Sequence, residues 1–428
     1  MSEQPGAGVA DAAPSAGGLL ELETGNIAAG GGCVARAPDG RVVFVRHALP
    51  GELVRALVTQ ETKSFLRADA IEILRAAPER VVPPCGYAGP GGCGGCDWQH
   101  VSLPEQRRLK AALVTEQLHR LAGLDMEVEV EELPGAPDGL GWRTRVRFGV
   151  SDAGVVGLRR HRSHEIEPID RCLIAAPGVE ALDAEDRDWP GVAEFEVFTS
   201  SDTGETLVDV VSAKRKVGEV PNLDAGFVVD HKSVRSPTKV HIGVLGRMYQ
   251  VSAGVFWQVH PAAAAVLTTA VLEGLDPKKG ETALDLYAGA GLFAAQLGVA
   301  VGKTGAVVSI ERDVHACEDA RANTEDLPWV QVDVASITSR MIRERLGAPD
   351  LLVVDPAREG VGIEAMEALL ELRPRPRRLA YVACDPASFA RDLRVALDDG
   401  WTISSLRCFD LFPMTEHVEI VAILSHAE

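Results

Sequence analysis

The sequence lacks a long apolar run. Its most hydrophobic stretches, such as LFAAQLGVAV, stop far short of the roughly 20 residues that a membrane-spanning helix needs, so no membrane association is expected. The N-terminus lacks a basic segment followed by an apolar one, so no secretory signal is expected and the chain reads as cytoplasmic. A positive charge excess is missing too. The 43 Lys and Arg stand against 62 Asp and Glu, a net charge of −19. That excludes a wholesale electrostatic nucleic-acid binder and leaves any such role to local basic patches. No internal repeats are present. Eight cysteines among 428 residues do not make a small disulfide scaffold. In a reducing cytoplasm, clustered thiols point to metal and isolated ones to burial or chemistry.

What is present suggests two to four domains with a sizeable core, since 46% of the residues are apolar. Residues 1–18, small, polar and rich in Pro and Gly, read as a disordered tail. Over 19–78, short β-branched runs broken by turn signals such as PDG predict a small β-barrel. Residues 79–236 form a central region with a cysteine loop, PPCGYAGPGGCGGC. A helix is expected near 104–122, with Pro104 in its first turn, followed by a β-rich stretch. There Arg143, Arg145 and Arg147 alternate, which predicts one shared strand face, and Arg159, Arg160 and Arg162 follow. This is the strongest basic concentration in the chain and the candidate RNA-contacting surface; its alternative is a solvated face paired with acids such as Glu165 and Glu167. From 237 to 428, strand-like runs alternate with helical stretches, the pattern of a doubly wound, mainly parallel α/β domain.

Within that domain ALDLYAGAGLF is a strand running into a glycine turn. Gly289 and Gly291 let the backbone turn tightly and approach a ligand. The next strand, AVVSIE, ends in Glu311, where an acid can accept hydrogen bonds from ribose hydroxyls. Asp-x-x-x-Gly-x-Gly without a third glycine favours S-adenosylmethionine over a dinucleotide, because there is no pyrophosphate to seat. Asp333, in VQVDV, stands where a third strand would deliver an acid to the adenine amino group, or is an exposed loop acid.

Two further strands end in reactive side chains, LLVVDPAREG at Asp355 and YVACDPASF at Cys384. Ligands of open α/β sheets bind beyond the carboxyl ends of strands, so both should face the pocket. In HVEIVAIL, Glu419 points away from Val418 and Ile420. The alternatives are a buried structural cysteine and an exposed edge acid. A thiol, a carboxylate base and a methyl donor together suggest methylation of a pyrimidine at C5. Thiolate attack on C6 makes C5 nucleophilic, and a base then removes the C5 proton.

These residues resemble the RNA uracil-5-methyltransferase family, in its iron–sulfur 23S rRNA branch, over roughly residues 19–428. FWQVH, DLYAGAG, VVDPAR, ACDP and FPMTEHVE carry the likeness, and the barrel resembles the RNA-binding TRAM domain. The resemblance implies a Rossmann-like class I methyltransferase domain, with Cys384 as nucleophile and Glu419 as proton acceptor. It implies that Gln258, Tyr287, Glu311, Asp333 and Asp355 bind S-adenosylmethionine. Structured RNA is the implied partner, ribosomal rather than transfer RNA, acted on by a monomer without an obligate protein partner. The sequence departs from the family at Ala288, Leu292, His260 and Asp385. A cytosine-5-methyltransferase is disfavoured, because DPAREG lacks the second cysteine such enzymes place there. A transfer-RNA enzyme and a non-catalytic RNA-binding iron–sulfur protein remain as alternatives.

Cys85, Cys93 and Cys96 follow a C-x7-C-x2-C spacing. Cys172, which ends the adjoining β-rich region, is the best fourth partner. Cys33 belongs to the barrel, while Cys317, Cys384 and Cys408 belong to the catalytic domain. Four thiolates suit zinc or an iron–sulfur cluster. The resemblance implies a [4Fe–4S] cluster held by Cys85, Cys93, Cys96 and Cys172.

Overall fold

The computed structural model describes residues 16–213, 217 and 219–426; most of the expected N-terminal tail lies outside them. The chain divides into two compact units, one of residues 1–92 and 96–102 and one of 93–95 and 103–428.

The first unit is a five-stranded sheet of β1 (Leu19–Glu23), β2 (Cys33–Arg36), β3 (Val42–Arg46), β4 (Leu53–Glu61) and β5 (Phe65–Arg75), ordered β1-β4-β5-β3-β2. Alternation builds its interior. Val54, Ala56 and Val58 point inward from β4, and Leu66, Ala68 and Ala70 from β5. Trp98 is buried on this unit, its Nε1–H donating to the Gly31 carbonyl at 2.9 Å.

The second unit opens with helix α1 (Leu103–Gln117) and strand β6 (Val130–Glu132). Pro104 stands in the first turn of α1, as expected. Seven strands follow in one sheet: β7 (Arg145–Val150), β8 (Val156–Arg159), β9 (Ile166–Pro168), β10 (Val192–Thr199), β11 (Thr206–Ser212), β12 (Gly226–Val229) and β13 (Lys232–Arg235). A short helix α2 (Pro177–Glu180) lies between β9 and β10. The hairpin β14 (Lys239–Val244) and β15 (Arg247–Ser252) leads into helix α3 (Ala263–Leu275).

The α/β part then runs β16 (Thr282–Leu286), α4 (Leu292–Val301), β17 (Ala306–Glu311), α5 (Val314–Asn323), β18 (Val330–Val334), α6 (Ser339–Arg345), β19 (Leu351–Val354), α7 (Ile363–Leu370), β20 (Arg378–Ala383), α8 (Pro386–Asp398), β21 (Trp401–Asp410) and β22 (Glu419–His426). The sheet order is β18-β17-β16-β19-β20-β22-β21-β6. Strands β16 to β20 are parallel, and β22 is antiparallel to both its neighbours. The chain winds outward from β16 to β18, then returns to β19 on the other side. That reversal makes a topological switch point between β16 and β19, where such sheets bind ligands. Strand β19 is buried at every position, as a sheet covered on both faces requires. LFAAQLGVAV is α4, a buried helix. Among the described residues no helix is long and apolar enough to cross a membrane.

Arg145 and Arg147 share one face of β7, as their alternation predicts, and that face meets the acids of β10. Arg143 precedes β7, and its Nε–H donates to the Arg145 carbonyl at 3.1 Å. Arg145 is buried, paired with Glu196 and stacked 4.5 Å over the Phe198 ring. Arg147 approaches Glu196 at 3.4 Å, Arg159 meets Glu194 at 2.7 Å, and Arg160 meets Glu167 at 2.8 Å and Glu165 at 3.1 Å. Acids on the neighbouring strand β10 and beside β9 neutralise these cations. The basic alternation thus serves cross-strand pairing within the sheet.

Candidate active site

Strand register assembles the site. Leu286 pairs with Ile310 on one side and Val354 on the other. One step outward, Tyr287, Glu311 and Asp355 therefore form a row along the carboxyl edge at the switch point. Asp333 pairs with Ile310, one step inside that row, and its Oδ1 accepts from Gln331 Nε2 at 2.9 Å. On β20 and β22, Ala383 is opposite Ile420. Cys384 is the next residue out, just past the end of β20, and one further step of the register brings it level with Glu419.

Glu419 is buried, on an inner strand of the sheet. Burial and the nearby Asp355 charge hold its carboxyl well above the usual range. Burial pushes Asp355 up to about 7. The Cys384 thiol rises to about 12, through burial first and then Glu419 and Asp355, against a downward pull from Arg358. These groups share one electrostatic environment. A chain that gathers carboxylates around a thiol stores a demand for positive charge.

The glycine turn is open. Gly289 has φ +53° and Gly291 φ +82°, the left-handed region that glycine tolerates. A Cβ at Gly289 would meet nothing within 4 Å, so the loop leaves space beside its backbone. The Gly289 N–H donates to Glu311 Oε2 at 3.2 Å, and the other Glu311 oxygen accepts from the Arg312 and Asp313 N–H groups at 2.7 and 2.9 Å. Tyr287 adopts φ +63°, rare for a residue with a side chain. Asp285 is completely buried on β16, and among the described residues neither of its carboxylate oxygens has a well-formed hydrogen bond. Burial and the Asp355 charge hold it far above the usual carboxylate range, with only weak support from the Ala294 N–H. An open glycine cradle, a row of acids and an orphaned carboxylate fit a cationic cofactor with a ribose, as S-adenosylmethionine is. Gln258 is buried on the segment after β15, where Thr144 holds the Val259 carbonyl through both its N–H and its hydroxyl at 2.9 Å. Among the described residues Gln258 makes no hydrogen bond to the acids.

The departures have structural explanations. Asp385 is the N-cap of α8, its Oδ1 accepting the Ser388 N–H at 2.7 Å, a task Asp and Asn perform alike. Leu292 is buried in the apolar core at the start of α4, so its side chain offers no polar contact. His260 lies against Trp142, ring centroids 6.1 Å apart and nearly parallel.

Three residues of this neighbourhood were not singled out from sequence as site residues: Asp285, Arg358 and His417. Arg358 Nη2 lies 3.3 Å from His417 Nε2. Burial, with Arg358 next, pushes His417 down to about 4, so its ring is neutral and accepts that bond. VVDPAR and FPMTEHVE contain both residues, but no spacing distinguishes them.

Among the described residues Cys85, Cys93, Cys96 and Cys172 form no disulfide. Cys93 and Cys172 belong to the second unit, and Cys172 is raised to about 12, by burial first and then by Cys93. Cys85 and Cys96 belong to the first unit. Among the described residues no three His, Cys, Asp or Glu side chains form a group that could hold a metal ion. The expected ligands are thus divided between the two units.

Comparison with known proteins agrees with the geometry. Residues 24–71 match the TRAM domain and 226–427 the tRNA (Uracil-5-)-methyltransferase family. An uncharacterised RNA methyltransferase of Streptomyces avermitilis is 46% identical over 95% of this chain and 98% of its own length. The 23S rRNA (uracil(1939)-C(5))-methyltransferase RlmD of Shewanella sp. strain ANA-3 is 30% identical over 91% of this chain and 92% of its own. The solved Pyrococcus abyssi tRNA (uracil-54, C5)-methyltransferase, in complex with S-adenosyl-L-homocysteine, superposes with a TM-score of 0.70 at 23% identity, covering 94% of this chain and 99% of that one.

Proposed function

We propose, for a chain that belongs to the RNA (uracil-5-)-methyltransferase family and carries an N-terminal TRAM domain, that it methylates C5 of a uracil in structured ribosomal RNA through Cys384 and Glu419. The observation that carries the reading is the strand register that brings Cys384, just past the end of β20, level with Glu419 at the start of β22, with Asp355 close enough to act on both. S-adenosylmethionine, when bound, supplies an electrophilic methyl on a sulfonium. Gly289 and Gly291 would give its methionine end room, Glu311 would accept hydrogen bonds from its ribose hydroxyls, and Gln258, Tyr287, Asp333 and Asp355 would complete its surroundings.

The Cys384 thiolate adds to C6 of the flipped uracil, and the electron pair passes to C5, which takes the methyl. Glu419, as carboxylate, removes the C5 proton. The C5–H pair re-forms the C5–C6 double bond and the C6–S bond breaks, returning the thiolate. Arg358 is the cation that opposes the carboxylates around Cys384.

Ribosomal RNA is favoured by the likeness to RlmD, whose substrate is 23S rRNA. A transfer-RNA substrate is the second reading, because the matched family is described by tRNA. Incubation with labelled methyl donor and either 23S rRNA fragments or transfer RNA separates them. The expected product is 5-methyluridine in the ribosomal fragments, and Cys384→Ala should lower turnover at least about a thousand-fold. Methylation confined to cytosine, or an undiminished Cys384→Ala enzyme, would overturn the reading. We read the protein as a monomer, which light scattering in solution tests.

For the cysteine loop the proposal is a [4Fe–4S] cluster on Cys85, Cys93, Cys96 and Cys172, resting on their spacing and the family resemblance. Iron and sulfide in the anaerobically purified protein would support it; stoichiometric zinc without iron would refute it.

A further inference from the structure

The residue that removes the C5 proton begins β22, immediately after a loop, Leu411–Val418, that is largely buried. A buried loop must have its backbone groups satisfied and its path held. Part of that support comes from within the loop, where Thr415 bonds Phe412 and His417, and part from α1, some 300 residues earlier in the chain.

Lys110 is completely buried on α1. Its ammonium lies 2.5 Å from Asp410 Oδ1, the last residue of β21, and donates to the Phe412 carbonyl at 3.0 Å. One turn earlier Gln106, also completely buried, accepts the Met414 N–H on Oε1 at 2.8 Å, while its Nε2 approaches Met414 Sδ at 3.4 Å. Met414 adopts φ +68°, a conformation that a side-chain-bearing residue keeps only where its surroundings impose it. The Phe412 carbonyl also accepts the Thr415 hydroxyl at 2.8 Å, and the Phe412 ring meets the rings of Trp142 and His417 edge-on. Residues 106 and 110 are four apart, so they face the loop from one side of the helix. A buried lysine on a strand-connecting loop is a poor choice for stability alone, because apolar replacements of such pairs are commonly neutral or better. Its value is directional: it fixes where the loop leaves β21.

We propose that Lys110 and Gln106 are positioning residues which, through Asp410, Phe412 and Met414, hold the Leu411–Val418 loop so that Glu419 enters β22 aimed at the substrate opposite Cys384. The inference rests on the reading of Glu419 as the proton acceptor. A loosened loop should leave addition of Cys384 and methyl transfer intact and slow removal of the C5 proton. The Cys384–RNA bond should then persist, and a denaturation-resistant protein–RNA adduct should accumulate during turnover.

The test uses the full chain with RNA and S-adenosylmethionine, comparing Gln106→Leu, Lys110→Met paired with Asp410→Leu, and Glu419→Gln. The expected result is a kcat lowered about tenfold or more in the α1 variants, with KM for both substrates within about twofold and adduct accumulating as in Glu419→Gln. If the double variant fails to fold, Gln106→Leu decides. Unchanged kcat in a folded α1 variant overturns the proposal, as does a loss of kcat with no adduct while Glu419→Gln accumulates it. If Glu419→Gln itself forms no adduct, the reading of Glu419 falls and the proposal falls with it.

Discussion

Two groups of charge in the second unit behave in opposite ways. On the seven-stranded sheet, Arg145, Arg147, Arg159 and Arg160 each face a glutamate, and the buried member Arg145 is fully occupied by Glu196 and the Phe198 ring. At the carboxyl edge of the eight-stranded sheet, Asp285, Asp355 and Glu419 are gathered without a comparable number of cations, and all three are raised. Arg145 and the three carboxyls are all costly to bury, but only Arg145 has its counter-charge beside it in the fold. The difference separates structure from function. A satisfied pair holds strands together, whereas a carboxylate left waiting is completed by something that binds.

Cys384→Ala should have the largest effect on this contrast, abolishing turnover in the methylation assay by removing the proposed nucleophile without unfolding the chain. Arg145→Met comes next. It leaves Glu196 only its longer contact to Arg147 and should destabilise the protein by about 3 kcal/mol in denaturant titrations. The exposed Arg147→Ala should cost less than about 1 kcal/mol. Similar losses from both would erase the distinction between buried and surface pairs. Arg145 therefore cannot report on RNA contact, since its replacement acts on folding first.

Asp285→Asn tests the waiting carboxylates. A carboxyl whose folded pKa is raised favours folding when protonated. Its penalty is absent at pH below the unfolded value of about 4 and grows as pH rises toward the folded one. Thermal melts of the cofactor-free protein should show the variant gaining stability over the parent as pH rises from about 4 to 8. A constant difference across that range would mean that the carboxylate is satisfied after all.

A smaller effect is expected at the thiol. Glu419→Gln removes a negative charge that opposes the Cys384 thiolate, so the pH at which Cys384 is half-alkylated should fall, read by mass spectrometry of its peptide. An unchanged midpoint would mean that the two side chains do not share one field.

The sequence alone carried the glycine turn, the acids closing successive strands, and the thiol before Asp-Pro, because period and turn chemistry are local properties. Glu419 was legible as a strand residue but not as a buried one, since only pairing with β20 and β21 puts β22 inside the sheet. The arginine alternation was visible, yet its partners Glu194 and Glu196 lie on a strand brought alongside only by folding. Lys110 and Gln106 gave no signal at all, for nothing in an ordinary amphipathic helix reveals that it will meet residues 410–414. Local chemistry thus determined which reaction the chain is equipped for. The tertiary structure decided which charges are answered within the fold and which are left for a ligand, because burial and counter-charge depend on residues hundreds of positions apart.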